Sequence, residues 1–157
     1  MGRKGEKRNE AAVFLGEFTH NVDAESRVAL PAPLREAAAE ALGKGLVLTS
    51  TVEPCIVAYT TERFAELLAA LDTDASVSRT AARDFKRALG SRAVVVVPDR
   101  QGRIRLPDHL RKHAGIRRQV VVVGVVDAIE FWEPGTYRSR EGARRAVFER
   151  LAPRTFG

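Results

Sequence analysis

The sequence predicts an α+β fold, rich in short β-strands and built as two copies of one unit with flanking helices. Three observations carry that expectation. Asp23–Arg35 can be laid over Asp99–Arg111 without a gap; Asp, Arg, Leu, Pro, Leu and Arg coincide, and Val28 answers Ile104. Short β-branched runs follow each copy of this element. Amphipathic helical segments lie between the copies and after the second. The 157 residues have room for one ordinary domain or two small similar ones. Hydrophobic residues at 45% and charged residues at 29% fit a packed core under a polar surface and argue against disorder.

Residues 1–12 read as a basic, flexible extension ahead of the first unit, 13–59. Val13–Val22 is a β-rich run with Phe14, Phe18 and Val22 spaced along one side. Asp23–Ser26 is a polar break of hairpin length, and in the second copy Gly102 supplies a residue that tolerates positive φ. Arg27–Leu30 and Arg103–Leu106 are short return strands, stopped by Pro31 and Pro107 because proline cannot donate to a ladder. Pro33–Leu42 and Asp108–Ala114 read as short helices ended by Gly43 and Gly115, with Asp108 as N-cap. Two strands close each copy: Leu46–Ser50 with Cys55–Tyr59, and Gln119–Gly124 with Ala128–Trp132.

A helical connector, 60–90, separates the units. Its first part, Thr61–Leu71, sets Phe64, Leu67, Leu68 and Leu71 on one helical face, and Ser76–Gly90 repeats the pattern less cleanly with Val77, Phe85 and Leu89. The second unit is 91–133, and 134–157 is a C-terminal helix and tail, helical over Pro134–Arg150 with the last seven residues frayed. Short hairpins cannot bury a face alone, so the two copies are expected to share a core about a pseudo-two-fold axis.

Charge is distributed unevenly. The chain has 26 basic and 20 acidic residues, net +6, with a pI near 10.1. Ala11–Leu71 is net −4, whereas Ser91–Arg150 is net +6. A polyanion site is therefore expected mainly in the second half. The longest apolar run, Ala93–Val97, is far too short to span a bilayer. Met1–Glu10 has no leader pattern, and the single cysteine rules out an intrachain disulfide framework, so a cytoplasmic protein is expected.

The Asp-x-x-x-Arg element has a direct physical reading. An Asp opening a tight turn accepts hydrogen bonds from the turn's own amides, which assigns Asp23 and Asp99 to structure. The arginine after the turn, Arg27 or Arg103, has a fork of donors that can reach the Asp, a carbonyl or a phosphate. Two copies, each followed by a further arginine at Arg35 or Arg111, favour an anion-binding role over simple turn closure. Arg100 and Arg105 flank Arg103 and add positive charge to the second turn, while Glu25 adds negative charge to the first. Arg103 is thus expected to hold a polyanion more strongly than Arg27.

Enzyme readings find little support. His109 and His113 have the i, i+4 spacing of zinc helices, but Leu110, Arg111 and Lys112 lie between them with no Glu, so a helix surface is the better reading. His20 has no third ligand marked by spacing. Cys55 reads as a small buried hydrophobe, and Gly43-Lys44-Gly45 as a helix stop rather than a phosphate loop. Tyr59 and Trp132 occupy equivalent strand ends and read as core or interface. Arg79, Arg83, Lys86 and Arg87 read as a solvated helix face. No metal, cofactor, membrane or small-molecule substrate is expected.

These motifs resemble the MraZ family of bacterial transcriptional regulators, which carry two tandem SpoVT–AbrB-like units of swapped-hairpin type. The resemblance covers about Phe14 to Arg150. It rests on Asn21-x-Asp23-x-x-x-Arg27-x-x-x-Pro31-x-x-x-Arg35 and on Asp99-x-x-Gly102-Arg103-Ile104-x-Leu106-Pro107-x-x-Leu110-Arg111, followed by Ala114-Gly115, Val120–Gly124 and Glu130-Phe131-Trp132. It implies contact with double-stranded DNA through Arg27 and Arg103, direct-repeat operators upstream of the division and cell-wall gene cluster, a ring-like homo-oligomer and a nucleoid-associated location. Two positions depart from the family pattern: Glu25 and Ser26 stand where a basic residue and Gly are usual. The alternative is an antitoxin-like protein-binding module on the same scaffold.

Overall fold

The computed structural model describes residues 11–157, so most of the basic extension, residues 1–10, lies outside the described part. The first half contains β1 (Glu17–Asn21), β2 (Arg27–Ala29), α1 (Ala32–Ala37), a 3-10 turn at Leu42–Lys44, β3 (Leu46–Ser50) and β4 (Ile56–Thr60). Then come α2 (Thr61–Thr73) and α3 (Arg79–Gly90), each with a side-chain N-cap: the Thr60 hydroxyl accepts from Arg63 N and the Ser78 hydroxyl from Ala81 N. The second half contains β5 (Val94–Val96), β6 (Arg103–Arg105), α4 (Asp108–Ala114), β7 (Gln119–Gly124), β8 (Ile129–Trp132), α5 (Pro134–Ser139) and α6 (Glu141–Phe156). This is an α+β fold of antiparallel sheets with flanking helices.

Six strands form one sheet in the order β1-β7-β8-β4-β3-β5, and β2 pairs with β6 in a separate two-stranded ribbon. Exchanging each strand of the first half for its counterpart in the second reproduces the same order read from the other end. The arms on either side of each turn do not pair with each other. β1 pairs with β7, β5 with β3, and β2 with β6. The turns themselves close locally, with Asp23 N donating to Arg27 O at 3.0 Å and Asp99 N to Arg103 O at 2.9 Å. Beyond the turns, Leu30 N donates to Gly102 O at 2.9 Å and Leu106 N to Ser26 O at 2.8 Å. Each turn is therefore held by the return strand of the other copy. The apolar content of the return strands explains the arrangement. Val28 and Ile104 are directly opposite each other in the ribbon and both are buried, a burial that neither three-residue strand achieves alone.

One face of the large sheet and the inner face of the ribbon share the main core, which includes Phe14, Leu34, Leu48, Ile56, Phe131 and Ile104. Phe18 and Val22 pack against it, so the evenly spaced side of the first β-run does face inward. The other sheet face buries Cys55, Val57, Val121 and Trp132 with Tyr137 of α5. Arg140 and Arg144 lie over the Trp132 and Tyr137 rings at 5.2 and 3.8 Å.

Four local expectations need correction. Strand pairing in the first β-run begins only at Glu17, because Gly16 turns the chain at φ 106°; Phe14 makes an isolated bridge to Val126. The first short helix ends at Ala37, with Ala38 as its C-cap, rather than at Leu42; Gly43 lies inside the 3-10 turn, which Gly45 ends. Gly45 has φ 85°, and a Cβ there would come within 2.8 Å of the Val96 carbonyl, so the close approach of β5 requires glycine. Asp108 is the first helical residue rather than the cap. Pro107 takes the cap position, and the Asp108 carboxylate accepts from Arg111 at 3.1 Å. The expected C-terminal helix is two, α5 and α6, broken at Arg140, and α6 runs on to Phe156 through Pro153, where the Thr155 hydroxyl donates to Leu151 O at 3.1 Å in the last turn.

Candidate nucleic-acid interface

The two Asp-x-x-x-Arg turns fold alike. Asp23 Oδ1 accepts from the amides of Glu25 and Arg27 at 2.9 and 2.8 Å, and Oδ2 from Arg27 Nε at 2.8 Å. Asp99 Oδ1 accepts from Gln101 and Arg103 amides, each at 2.9 Å, and Oδ2 from Arg103 Nε at 3.0 Å. Hydrogen bonds from the arginine amides hold both carboxyls below the usual aspartate range. One edge of each guanidinium is thereby fixed. In Arg27, Nη1 also lies 3.4 Å from Glu25 Oε2; the second turn has the neutral Gln101 at that position, beside an exposed Arg100.

Ribbon register brings the arginines together. Arg27 is opposite Arg105, and Ala29 is opposite Arg103, so these four residues share one face while Val28 and Ile104 share the buried one. Arg103 Nη1 lies 3.9 Å from Asp23 Oδ2, linking the two turns. Arg105 is exposed, and its Nε donates to the Glu25 carbonyl at 3.0 Å. Three guanidinium groups from distant parts of the chain therefore occupy one ribbon face.

Arg35 and Arg111 lie lower, against the turns. A Cβ on Gly102 would come within 2.5 Å of Arg35 Nη1, so Arg35 packs on the second turn. Arg111 lines the space beside Ser26 of the first turn. Among the described residues, the Nε atoms of both arginines are buried without a hydrogen-bond partner. Sequence reasoning missed Arg117 and Arg118, which stand in the loop before β7; Arg118 O accepts from Val22 N at 2.8 Å. Their signal was an arginine doublet with one residue between it and the Gly115 helix stop.

The other candidates fall elsewhere. His109 and His113 are exposed, and their Nε2 atoms lie 2.9 and 3.0 Å from the carbonyls of Arg92 and Glu53. His20 sits on β1 opposite Val120. Tyr59 packs against Phe64, and Trp132 edge-on against Tyr137. On α3, Lys86 pairs with Asp72 and Arg87 with Asp84 at 2.7 Å each. Among the described residues, Glu53, Cys55 and Glu130 bring one possible ligand atom each within 4.8 Å of one another. Burial pushes the Cys55 thiol up to about 12, which disfavours the thiolate, and also raises the Glu130 carboxyl.

Fold and site together define an α+β protein that presents two Asp-braced arginine turns on one double-stranded ribbon. The family model described as "MraZ protein, putative antitoxin-like" matches residues 13–88 and 90–156. A protein of Lactiplantibacillus plantarum named "Transcriptional regulator MraZ" is 39% identical over 140 residues, 89% of this chain and 96% of the relative. Proteins of the same name from Thermomicrobium roseum and Cutibacterium acnes are 41% and 33% identical, over 82% and 92% of this chain and 87% and 98% of the relatives. The chain belongs to the MraZ family.

Proposed function

We propose that this chain is a sequence-specific DNA-binding transcriptional regulator that lays the β2–β6 ribbon against a duplex. The observation that carries the reading is the gathering of Arg27, Arg103 and Arg105 on one ribbon face, two of them braced by aspartates. A two-stranded ribbon is narrow enough for the major groove, which is about 12 Å wide. Braced guanidiniums suit base edges or phosphates because little side-chain freedom is lost on binding. The relatives named as transcriptional regulators support the same class.

The two turns and their return strands form swapped hairpins related by a pseudo-two-fold axis, which the palindromic strand order and the paired bonds at Gly102 and Ser26 support. The protein acts in the cytoplasm, at the nucleoid, as a ring-like homo-oligomer. Exposed Phe85 on α3 and Phe148, Leu151 and Phe156 on α6 are apolar surface that contact between copies would cover. A ring presents identical ribbons at regular intervals, so its site contains direct repeats roughly one helical turn apart. That site lies upstream of the division and cell-wall gene cluster, a reading that the family resemblance supports.

Nuclease footprinting of purified protein on the DNA upstream of its own gene tests this. Protection of repeated short elements is expected. Uniform cleavage with the protein in micromolar excess over the DNA would contradict it.

A further inference from the structure

The first turn carries Glu25 where its counterpart carries Arg100's neighbour Gln101, so by itself it offers little positive charge. The chain supplies the charge from elsewhere. A groove runs from the flank of the first turn, past Asn21, to the start of α5; its basic lining is Arg111, Arg117, Arg118 and Arg138, all from the second half. Its two acidic members keep their charge, so the four arginines leave a positive excess, and their oxygens are already engaged. Asp23 is bound by Arg27, and Glu133 caps α5 by accepting from Gly135 N at 2.9 Å and Thr136 N at 2.7 Å. Among the described residues, Arg117, Arg118 and Arg138 have no ion-pair partner, and all three are exposed. The bond from Val22 N to Arg118 O fixes their loop to the first turn.

The corresponding positions beside the second turn carry less positive charge. Matching β3 to β7 places Gly43 and Lys44 where Arg117 and Arg118 stand, and matching α2 to α5 places Ala65 at Arg138. Lys44 is already paired with Glu62 at 3.4 Å. The basic track is therefore one-sided.

We infer that Arg117 and Arg118, with Arg138 further along, form a phosphate-binding groove that takes the DNA backbone beside the first turn. The inference rests on the DNA-binding reading above and extends it to residues outside both motifs. A duplex on the ribbon then gains its backbone contacts at the first turn from the second copy's loop. These contacts add affinity without adding sequence preference.

The test is fluorescence anisotropy of the full chain on its operator and on a scrambled duplex across a salt series. Arg117→Ala/Arg118→Ala should reduce the slope of log affinity against log salt by about two on both duplexes, with their affinity ratio kept. At 0.1 M salt this is a loss of roughly tenfold per contact. Arg117→Lys/Arg118→Lys should keep the slope, and Lys44→Ala should leave it unchanged. Both arginines are exposed, so the alanine variant should melt with the parent. A wild-type slope in the alanine variant, while Arg103→Ala still weakens binding, overturns the groove and leaves the DNA reading standing. An equal loss in Lys44→Ala overturns its one-sidedness. Absence of binding by the parent chain to any duplex removes the DNA reading and the groove with it.

Discussion

Ser26 and Gly102 hold equivalent turn positions in the two copies with φ of 63° and 75°. The second copy meets this left-handed requirement with glycine, whereas the first imposes it on a residue with a Cβ. Ser26→Gly removes a left-handed cost of about 1–2 kcal/mol and returns about 0.5–1 kcal/mol of it as extra unfolded-state freedom, so it should stabilise the protein by about 0.5–1 kcal/mol. Gly102→Ala should destabilise it, since its Cβ would meet the Arg35 guanidinium at 2.5 Å as well as take up the strain. Thermal melts at one fixed protein concentration compare the three proteins. A Ser26→Gly midpoint below the parent's would contradict this account of the first turn.

The carboxyls that brace the arginines make stability depend on acid. Asp23 and Asp99 have folded-state pKa values below the unfolded aspartate value, chiefly because the Arg27 and Arg103 amides donate to them. A depressed carboxylate contributes stability that is fully present above the unfolded pKa, about 3.9. That contribution disappears as pH falls below 3.9 through the folded value. Urea midpoints measured from pH 6 down to roughly pH 2 should drop more steeply for the parent than for Asp23→Asn/Asp99→Asn. Parallel curves would mean that the two carboxylates contribute nothing to the acid response.

Ile104 tests the joining of the copies. It is buried against Val28 of the other half, across the central pair of the ribbon. Ile104→Ala should cost about 2–5 kcal/mol and weaken both turns together. Hydrogen exchange should then rise at Leu30 and Leu106 alike, since each donates into the opposite turn. Loss of protection at one turn alone would indicate that the copies are held independently.

The parts legible in the sequence are those set by local chemistry. Asp23 and Asp99 repeat with the same spacing to an arginine, and Gln119–Gly124 has the β-branched density of a buried strand, so the turns and β7 fall where expected. Strand partners were not legible, because nothing in Arg27–Ala29 distinguishes pairing with β1 from pairing with β6; burial of Val28 on Ile104 decides it in three dimensions. The same non-locality hid the groove. Arg117 and Arg118 are adjacent to α4 in sequence, and only the pairing of β1 with β7 brings them to the first turn. At the C-terminus, the last seven residues, expected to fray, instead continue the helix to Phe156.

The central claim is that the ribbon face bearing Arg27, Arg103 and Arg105 holds DNA, and the most direct measurement is anisotropy of single-alanine variants on operator and scrambled DNA across a salt series. Arg27 is partly neutralised by Glu25 at 3.4 Å, whereas Arg103 is flanked by Arg100 and Arg105. Arg103→Ala should therefore weaken binding more than Arg27→Ala, Arg105→Ala should have a measurable cost, and each lost phosphate contact should lower the salt slope by about one. Loss of operator preference in Arg27→Ala with the slope nearly kept would assign Arg27 to base reading at the same face. Unchanged affinity and slope in all three variants, with the parent bound to its operator, would contradict the account and place the DNA on another surface.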